Sequence, residues 1–376
     1  MSPPEQQIYP QGQCGMVWRH AAVLPEGLIL PCCRFLDRQL LSSYKTVNEA
    51  FYSPEMEGLR RRMLGGQWAK GCEKCLSDET ASRSSLRTRG NHRFPQPLGE
   101  PFLQSLEISF SNACNMACRM CNAQLSSSWY EDAKVVMGYS GPRRHFLDWD
   151  FRQWDLSRLG WLKILGGEPL YEKKNLEFLH YMDERGWLKN ICLHMTTNTS
   201  VHLSAEWEEM IRSCKTAKIF CSIDGVGQVN EYLRYGADWK TTQKVFSQFL
   251  DLQTNCPSVE LSVHTVVSVF NALHLPQLEG WIRDTAGDGV NWNLDFLFEP
   301  KEMSLVGLPI GLKNRISQQL PQFFRRAEVL RFLAVHGESE NSNYLSEFGE
   351  FNALLDKLRN QDWRQVFPEL DQVLSV

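Results

Sequence analysis

No stretch of the 376-residue chain stays apolar for the roughly 20 residues that a bilayer-spanning helix needs. The amino-terminal segment MSPPEQQIYPQGQ also lacks a basic stretch leading into an apolar one. These absences lead to the expectation of a soluble, cytoplasmic protein without a membrane partner. Charge of one sign is missing too: 40 Lys and Arg against 44 Asp and Glu leave a formal charge of −4, which creates no general attraction to nucleic acid or anionic lipid. No internal repeat or low-complexity tract is evident, and no acid–base constellation stands out. With 43% hydrophobic residues the chain can bury a sizeable core, and its length suits one large α/β unit with a smaller appendage. Cysteine is plentiful at twelve residues, and in a reducing compartment clustered cysteines favour metal over disulfides.

A short apolar run, a polar or glycine-rich turn and an amphipathic stretch recur between residues 103 and 298, the βα rhythm of a parallel barrel. The runs cover 103–110, 161–165, 191–195, 217–223, 259–267 and 290–298, with helical patterns at 175–185, 205–213, 241–252 and 276–283. Six units are fewer than the eight that close a barrel, so the expected fold is an α/β partial (β/α)6 TIM-like barrel. Helices are expected at 313–335 and 348–359, covering the barrel mouth or its open edge. The division that follows is 1–97, a small module and connector; 98–300, the barrel; and 301–376, a helical segment. In such folds the chemistry gathers at the carboxyl ends of the strands.

The distinctive residues fall there. Cys114, Cys118 and Cys121 lie in SNACNMACRMC directly after the first run. Three thiolates on a tight loop can hold three corners of a four-iron cubane and leave the fourth iron open to a small molecule. The second run is followed by Gly166-Gly167-Glu168-Pro169, the third by Thr196-Thr197-Asn198-Thr199 and the fourth by Ser222-Ile223-Asp224-Gly225. Taken singly, each has an ordinary reading as a strand-to-helix turn or a common turn pair.

Their order resembles that of the radical S-adenosylmethionine enzymes, whose loop reads CxxxCxxC, with Met120 here where an aromatic is usual. The resemblance implies an open-iron 4Fe-4S cluster on Cys114, Cys118 and Cys121, with S-adenosylmethionine bound to it. Gly166, Gly167, Glu168 and Pro169 would hold the methionine amino group. Thr197, Asn198, Ser222 and Asp224 would surround ribose and substrate, and Arg234 would meet the ligand carboxylate with its guanidinium fork. Ser268 and Asn271, after the fifth run, would lie near the adenine. Reductive cleavage of the cofactor would give a 5′-deoxyadenosyl radical that takes hydrogen from the substrate. The electron would come from a donor such as flavodoxin or ferredoxin.

A second cysteine set precedes the barrel. Cys14, twelve residues, Gly27, four residues, Cys32 and later Cys72-Glu73-Lys74-Cys75 resemble the SPASM and twitch extensions, which implies a second, auxiliary 4Fe-4S cluster. Cys33 is the neighbouring candidate, and the glycine spacing selects Cys32. Four cysteines with a CxxC pair are equally a zinc signature, so a non-enzymatic zinc-binding interaction protein is the alternative of another class. Residues 28–31 read as one arm of a hairpin and 46–64 as a helix.

Of the other cysteines, Cys192, Cys214 and Cys256 read as buried small hydrophobes. Cys221, on a strand ending at the site, is a candidate hydrogen donor to a substrate radical. The arginine-rich segment 81–97 reads as a connector paired with the protein's own carboxylates, or as a grip for an acidic peptide or nucleic acid. The tryptophan-rich segment 149–161 packs a helix on the barrel or lines a pocket. For substrate, a peptide or protein comes first, with a small metabolite or sugar as the alternative.

Overall fold

Alternation of polar and apolar residues builds a single sheet. A computed structural model describes residues 12–80, 84–95, 99–337 and 341–374. Its strands are β1 (His20–Leu24), β2 (Leu28–Leu30), β3 (Ser105–Ser109), β4 (Trp161–Leu165), β5 (Cys192–Thr197), β6 (Thr216–Ser222), β7 (Val259–Val267) and β8 (Asn291–Phe296). They lie in the order β2-β1-β3-β4-β5-β6-β7-β8. The hairpin β1–β2 is antiparallel, and every other neighbouring pair is parallel.

Successive residues of a strand face opposite sides, and here the two sides differ in chemistry. Leu106 and Ile108, Leu162 and Ile164, Leu193 and Met195, and Ile219 and Cys221 are all buried in the hydrophobic core under the helices. The alternate residues Glu107, Lys163, His194, Phe220 and His264 line a cavity on the other side. A closed eight-strand barrel packs its interior with branched side chains. This open sheet keeps ionisable side chains and aromatic rings on its inner side, around a cavity with room for a ligand.

The six expected barrel strands are present as β3–β8, and the helices between them include Lys173–Glu184, Ala205–Ser213, Trp239–Asn255 and Leu275–Ala286. The sheet continues beyond them. β1 pairs with β3 in the register Ala22↔Glu107, and residues from both sides of the expected 97/98 boundary share one hydrophobic core. The amino-terminal hairpin is therefore continuous with the barrel, where the sequence suggested an appendage. Residues 96–98 lie outside the described ones.

Prolines split two expected helices. Residues 46–64 form Val47–Phe51 and Pro54–Leu64, the second started by Ser53, whose Oγ accepts from Met56 N at 3.2 Å, with Pro54 at the first helical position. Residues 313–335 form Ile310–Gln319 and Arg326–Val335, with Pro321 between them. The helix Tyr344–Arg359 closes on the cysteine loop. Trp154 of the tryptophan-rich segment packs against Phe178 of Lys173–Glu184, while Trp161 lines the cavity. Among the described residues no helix is long and apolar enough to cross a membrane.

Candidate functional site

The loop after β3 is fixed by hydrogen bonds from several directions. Asn112 Nδ2 donates to Ala123 O at 2.9 Å, drawing the ends of the loop together, and Ser126 Oγ donates to Met116 O at 2.6 Å. Ala117 N and Arg119 N donate to Tyr235 O and Leu233 O at 2.8 and 2.7 Å. Trp129 Nε1 reaches Cys118 O at 2.6 Å, and Ser128 Oγ reaches Cys114 O at 2.7 Å. Burial pushes all three thiols up, Cys118 to about 11 against the lowering pull of Arg234. Donors face two of the sulfurs: Asn198 Nδ2 stands 3.7 Å from Cys114 Sγ and Arg234 Nη1 3.9 Å from Cys118 Sγ. Such donors favour the thiolate, which is the form that binds metal.

The sequence did not reveal what supports this loop from outside. Arg119, fully buried within it, is held by Asp356, by Asn352 Oδ1 at 3.1 Å and by Gln361 Oε1 at 3.2 Å. Its guanidinium lies 3.8 Å over the Tyr232 ring. Tyr232 OH donates to Asp356 Oδ1 at 2.9 Å. A second clamp joins Arg359 to Asp132 at 2.8 Å. The pattern of Tyr344–Arg359 signals a helix but carries no mark of partners more than 200 residues away.

Gly166 and Gly167 are required by the chain itself. A Cβ on Gly167 would stand 1.9 Å from Ala113 O, and one on Gly166, whose φ is +91°, would stand 2.1 Å from Ser109 Oγ. The β4 turn is thus pressed onto the cysteine loop, and Glu168 N donates to Ala113 O at 2.8 Å. The Glu168 carboxylate is spent internally. It accepts from Thr197 Oγ1 at 2.8 Å, Leu170 N at 3.1 Å and Asn198 N at 2.5 Å, bolting the ends of β4 and β5 together. Burial raises it to about 7 against these bonds. Outwardly, Gly166 and Gly167 line a cavity of about 260 Å3 together with Ser109, Asn112 and Glu107. Pro169 presents its carbonyl to Asn175 Nδ2 at 2.9 Å.

Arg234 and Asp224 face each other, with Nε and Oδ2 2.8 Å apart. Both atoms are buried and neither has a hydrogen bond of good geometry. A polar ligand arriving there would complete them. Ser268 and Asn271 are brought beneath this pair as staples: Ser268 N donates to Asn271 Oδ1 at 2.8 Å, and Asn271 Nδ2 donates to Asp224 O at 2.9 Å. Their polar groups are engaged within the chain and position Asp224. Ser222 ends β6 on the cavity side, opposite His264. Cys221 requires a correction. It is fully buried in the hydrophobic core, because strand alternation sends its neighbour Phe220 to the cavity and Cys221 to the helix side.

Cys14, Cys32, Cys72 and Cys75 come together around one cavity, lined also by Trp68, Phe35 and Arg87. Burial pushes Cys14 and Cys72 up to about 12. Cys33 lines the barrel cavity beside Glu107 instead. Among the described residues no group of three or more His, Cys, Asp and Glu side chains is gathered closely enough to hold a metal ion; the four thiols ring a space. Arg87 pairs with Glu79, Nε to Oε1 at 2.9 Å, as expected of a connector arginine, whereas Arg83 lies outside the described residues.

His20 and His194, both lining the barrel cavity, are held at about 3 and about 4 chiefly by burial and by nearby Arg93. Such groups stay neutral when folded and take up a proton when unfolded. Their contribution is complete above about 6.5 and is lost as pH falls toward the folded values. Unfolding midpoints measured from pH 7 to 4 should therefore fall, and His20→Gln should flatten that acid limb. An unchanged slope in the variant would refute the assignment.

No family model matches the chain, and no curated protein matches it. Solved structures do. It is similar to native anSMEcpe with bound AdoMet, at 18% identity, 52% coverage of each chain and a TM-score of 0.39. The chain spans about half the length of that structure. It is also similar to native anSMEcpe with bound AdoMet and Cp18Cys peptide, at 17% identity over 68% of this chain and 65% of that one, TM-score 0.39. A third is Streptococcus suis SuiB bound to S-adenosylmethionine, at 14% identity over 88% and 72% of the two chains, TM-score 0.37.

Proposed function

We propose that this chain is a radical S-adenosylmethionine enzyme that abstracts hydrogen from a peptide or protein substrate. One juxtaposition carries the reading: the CxxxCxxC loop and the Gly166-Gly167 turn are pressed together at the carboxyl ends of parallel strands, with Asn198 and Arg234 aimed at two of the sulfurs. The donor set fits an open-iron cluster. Three thiols stand on one braced loop, and the buried Arg234–Asp224 ion pair lies beside them. When bound, the cluster and S-adenosylmethionine supply the electron transfer and carbon–sulfur cleavage that yield a 5′-deoxyadenosyl radical.

The protein's part is positional. Cys114, Cys118 and Cys121 would ligate three irons, and Asn198 and Arg234 would donate toward the cluster sulfurs. Gly166 and Gly167 open backbone to the cofactor, and Glu168 locks the two strand ends that carry Thr197 and Asn198. The cavity beyond, about 610 Å3, would receive substrate. Cys14, Cys32, Cys72 and Cys75, which line one cavity, are the proposed ligands of an auxiliary cluster, with a single zinc ion as the alternative that metal analysis separates.

Anaerobic reconstitution should give about eight irons per chain if two four-iron clusters form, and the reduced protein should release 5′-deoxyadenosine from S-adenosylmethionine even without substrate. Replacing Cys114, Cys118 and Cys121 by alanine should remove about half of the iron and all of that release. A triple variant that keeps its iron, or a colourless zinc-loaded wild type, would sink the reading.

A further inference from the structure

The charges lining the 610 Å3 cavity do not cancel. Lys163 is matched by Glu107 at 3.3 Å, and His264 Nε2 lies 2.8 Å from Asp295 Oδ2. His20 and His194 are neutral near pH 7. Two guanidinium groups remain, Arg89 and Arg93, both from the helix Leu86–Arg93 and both lining the cavity. Neither has a salt bridge among the described residues. Arg89 acts on Asp295 only through space. Arg93 holds its guanidinium carbon 3.9 Å from the centre of the Trp161 ring, and no hydrogen bond engages its side chain among the described residues.

We propose that Arg89 and Arg93 anchor a carboxylate of the substrate at the amino-terminal end of the barrel cavity, and that the substrate is an acidic peptide segment. The second half of that statement rests on length. Trp161 opens β4, and Gly166 follows its last residue, so the anchor and the proposed cofactor turn are separated by five residues of strand, about 16 Å at the strand rise. An extended peptide of similar length spans that distance. The two cavities meet between the ends, because Glu107 and Cys33 line both. A carboxylate suits the planar donors of a guanidinium better than any neutral group does. This inference rests on the reading of the cavity as the substrate's.

The test is calorimetric titration of the anaerobically reconstituted protein with synthetic pentapeptides. The pairs are acetyl-Ala-Ala-Glu-Ala-Ala-amide against its Gln counterpart, and acetyl-pentaalanine as free acid against its amide. At least one carboxylate peptide should bind tenfold or more tighter than its neutral partner. A preference for the first assigns the anchored group to a side chain, and for the second to a chain end. Arg93→Gln should abolish the preference, Arg89→Gln should reduce it, and Arg93→Lys should keep part of it. Equal binding of both pairs by the wild type, or an undiminished preference in both glutamine variants, would overturn the anchor. Glutarate binding as tightly as the pentapeptides would overturn the peptide assignment. The titration needs neither reductant nor S-adenosylmethionine. Acidic-peptide binding without 5′-deoxyadenosine release would keep the anchor and lose the proposed reaction, and release without peptide preference would do the reverse.

Discussion

Asp356→Ala should destabilise the protein by roughly 3–5 kcal/mol, the scale for removing one partner of a buried ion pair. Arg119 is fully buried, and Asp356 is the anion against its guanidinium; without it, Asn352 and Gln361 offer only neutral oxygens. The same carboxylate also accepts from Tyr232 OH and, through Oδ2, from Trp363 N at 3.0 Å. Thermal unfolding should show the loss, and iron bound after reconstitution should fall with it, because Arg119 lies between Cys118 and Cys121. Replacing both charges, as Arg119→Met with Asp356→Leu, should recover much of the stability. Wild-type stability in the single variant would mean that the carboxyl-terminal helix does not brace the loop.

Gly167→Ala should be about as damaging, for a different reason. The added Cβ would stand 1.9 Å from Ala113 O, 2.4 Å from Ala113 C and 2.8 Å from Asn112 C. Backbone cannot step aside as a flexible side chain can, so the cost should exceed the about 1–3 kcal/mol of ordinary overpacking. Gly280→Ala is the control. It sits in the helix Leu275–Ala286 with nothing within 4 Å of its Cβ position, and alanine there should stabilise by about 0.5–1 kcal/mol. Denaturant unfolding of the two variants checks both signs. A Gly167→Ala protein as stable as the wild type would show that the two turns need not touch.

The barrel strands were legible because each carries its own local signal. Trp161–Leu165 and Val259–Val267 match the sequence expectation to the residue. Most of the apolar residues that gave the signal lie on the helix-facing side, with Trp161 and Phe220 as cavity-side exceptions. The opposite side, with Glu107, Lys163 and His194, was hidden in the same runs, and only strand alternation reveals it. Cys221 was misplaced through that oversight. The motifs after β3, β4 and β5 were also readable, yet their roles shifted in part: Gly166 and Gly167 answer first to Ala113 and Ser109, and Glu168 to Thr197 and Asn198. What no local pattern could announce were contacts across long separations. β1 meets β3 some 85 residues on, and Arg119 meets Asp356 after 237.

The hairpin β1–β2 also has a colloidal role. Without β1, the backbone of β3 would present a bare edge, a template for pairing with another chain and a route to aggregation. β1 covers that edge, and the new one is blunted: β2 has only three residues and is followed at once by Pro31. Cys14 precedes this guard and Cys32 follows it. Whatever loosens the thiol cavity therefore also loosens the strand that guards the sheet edge.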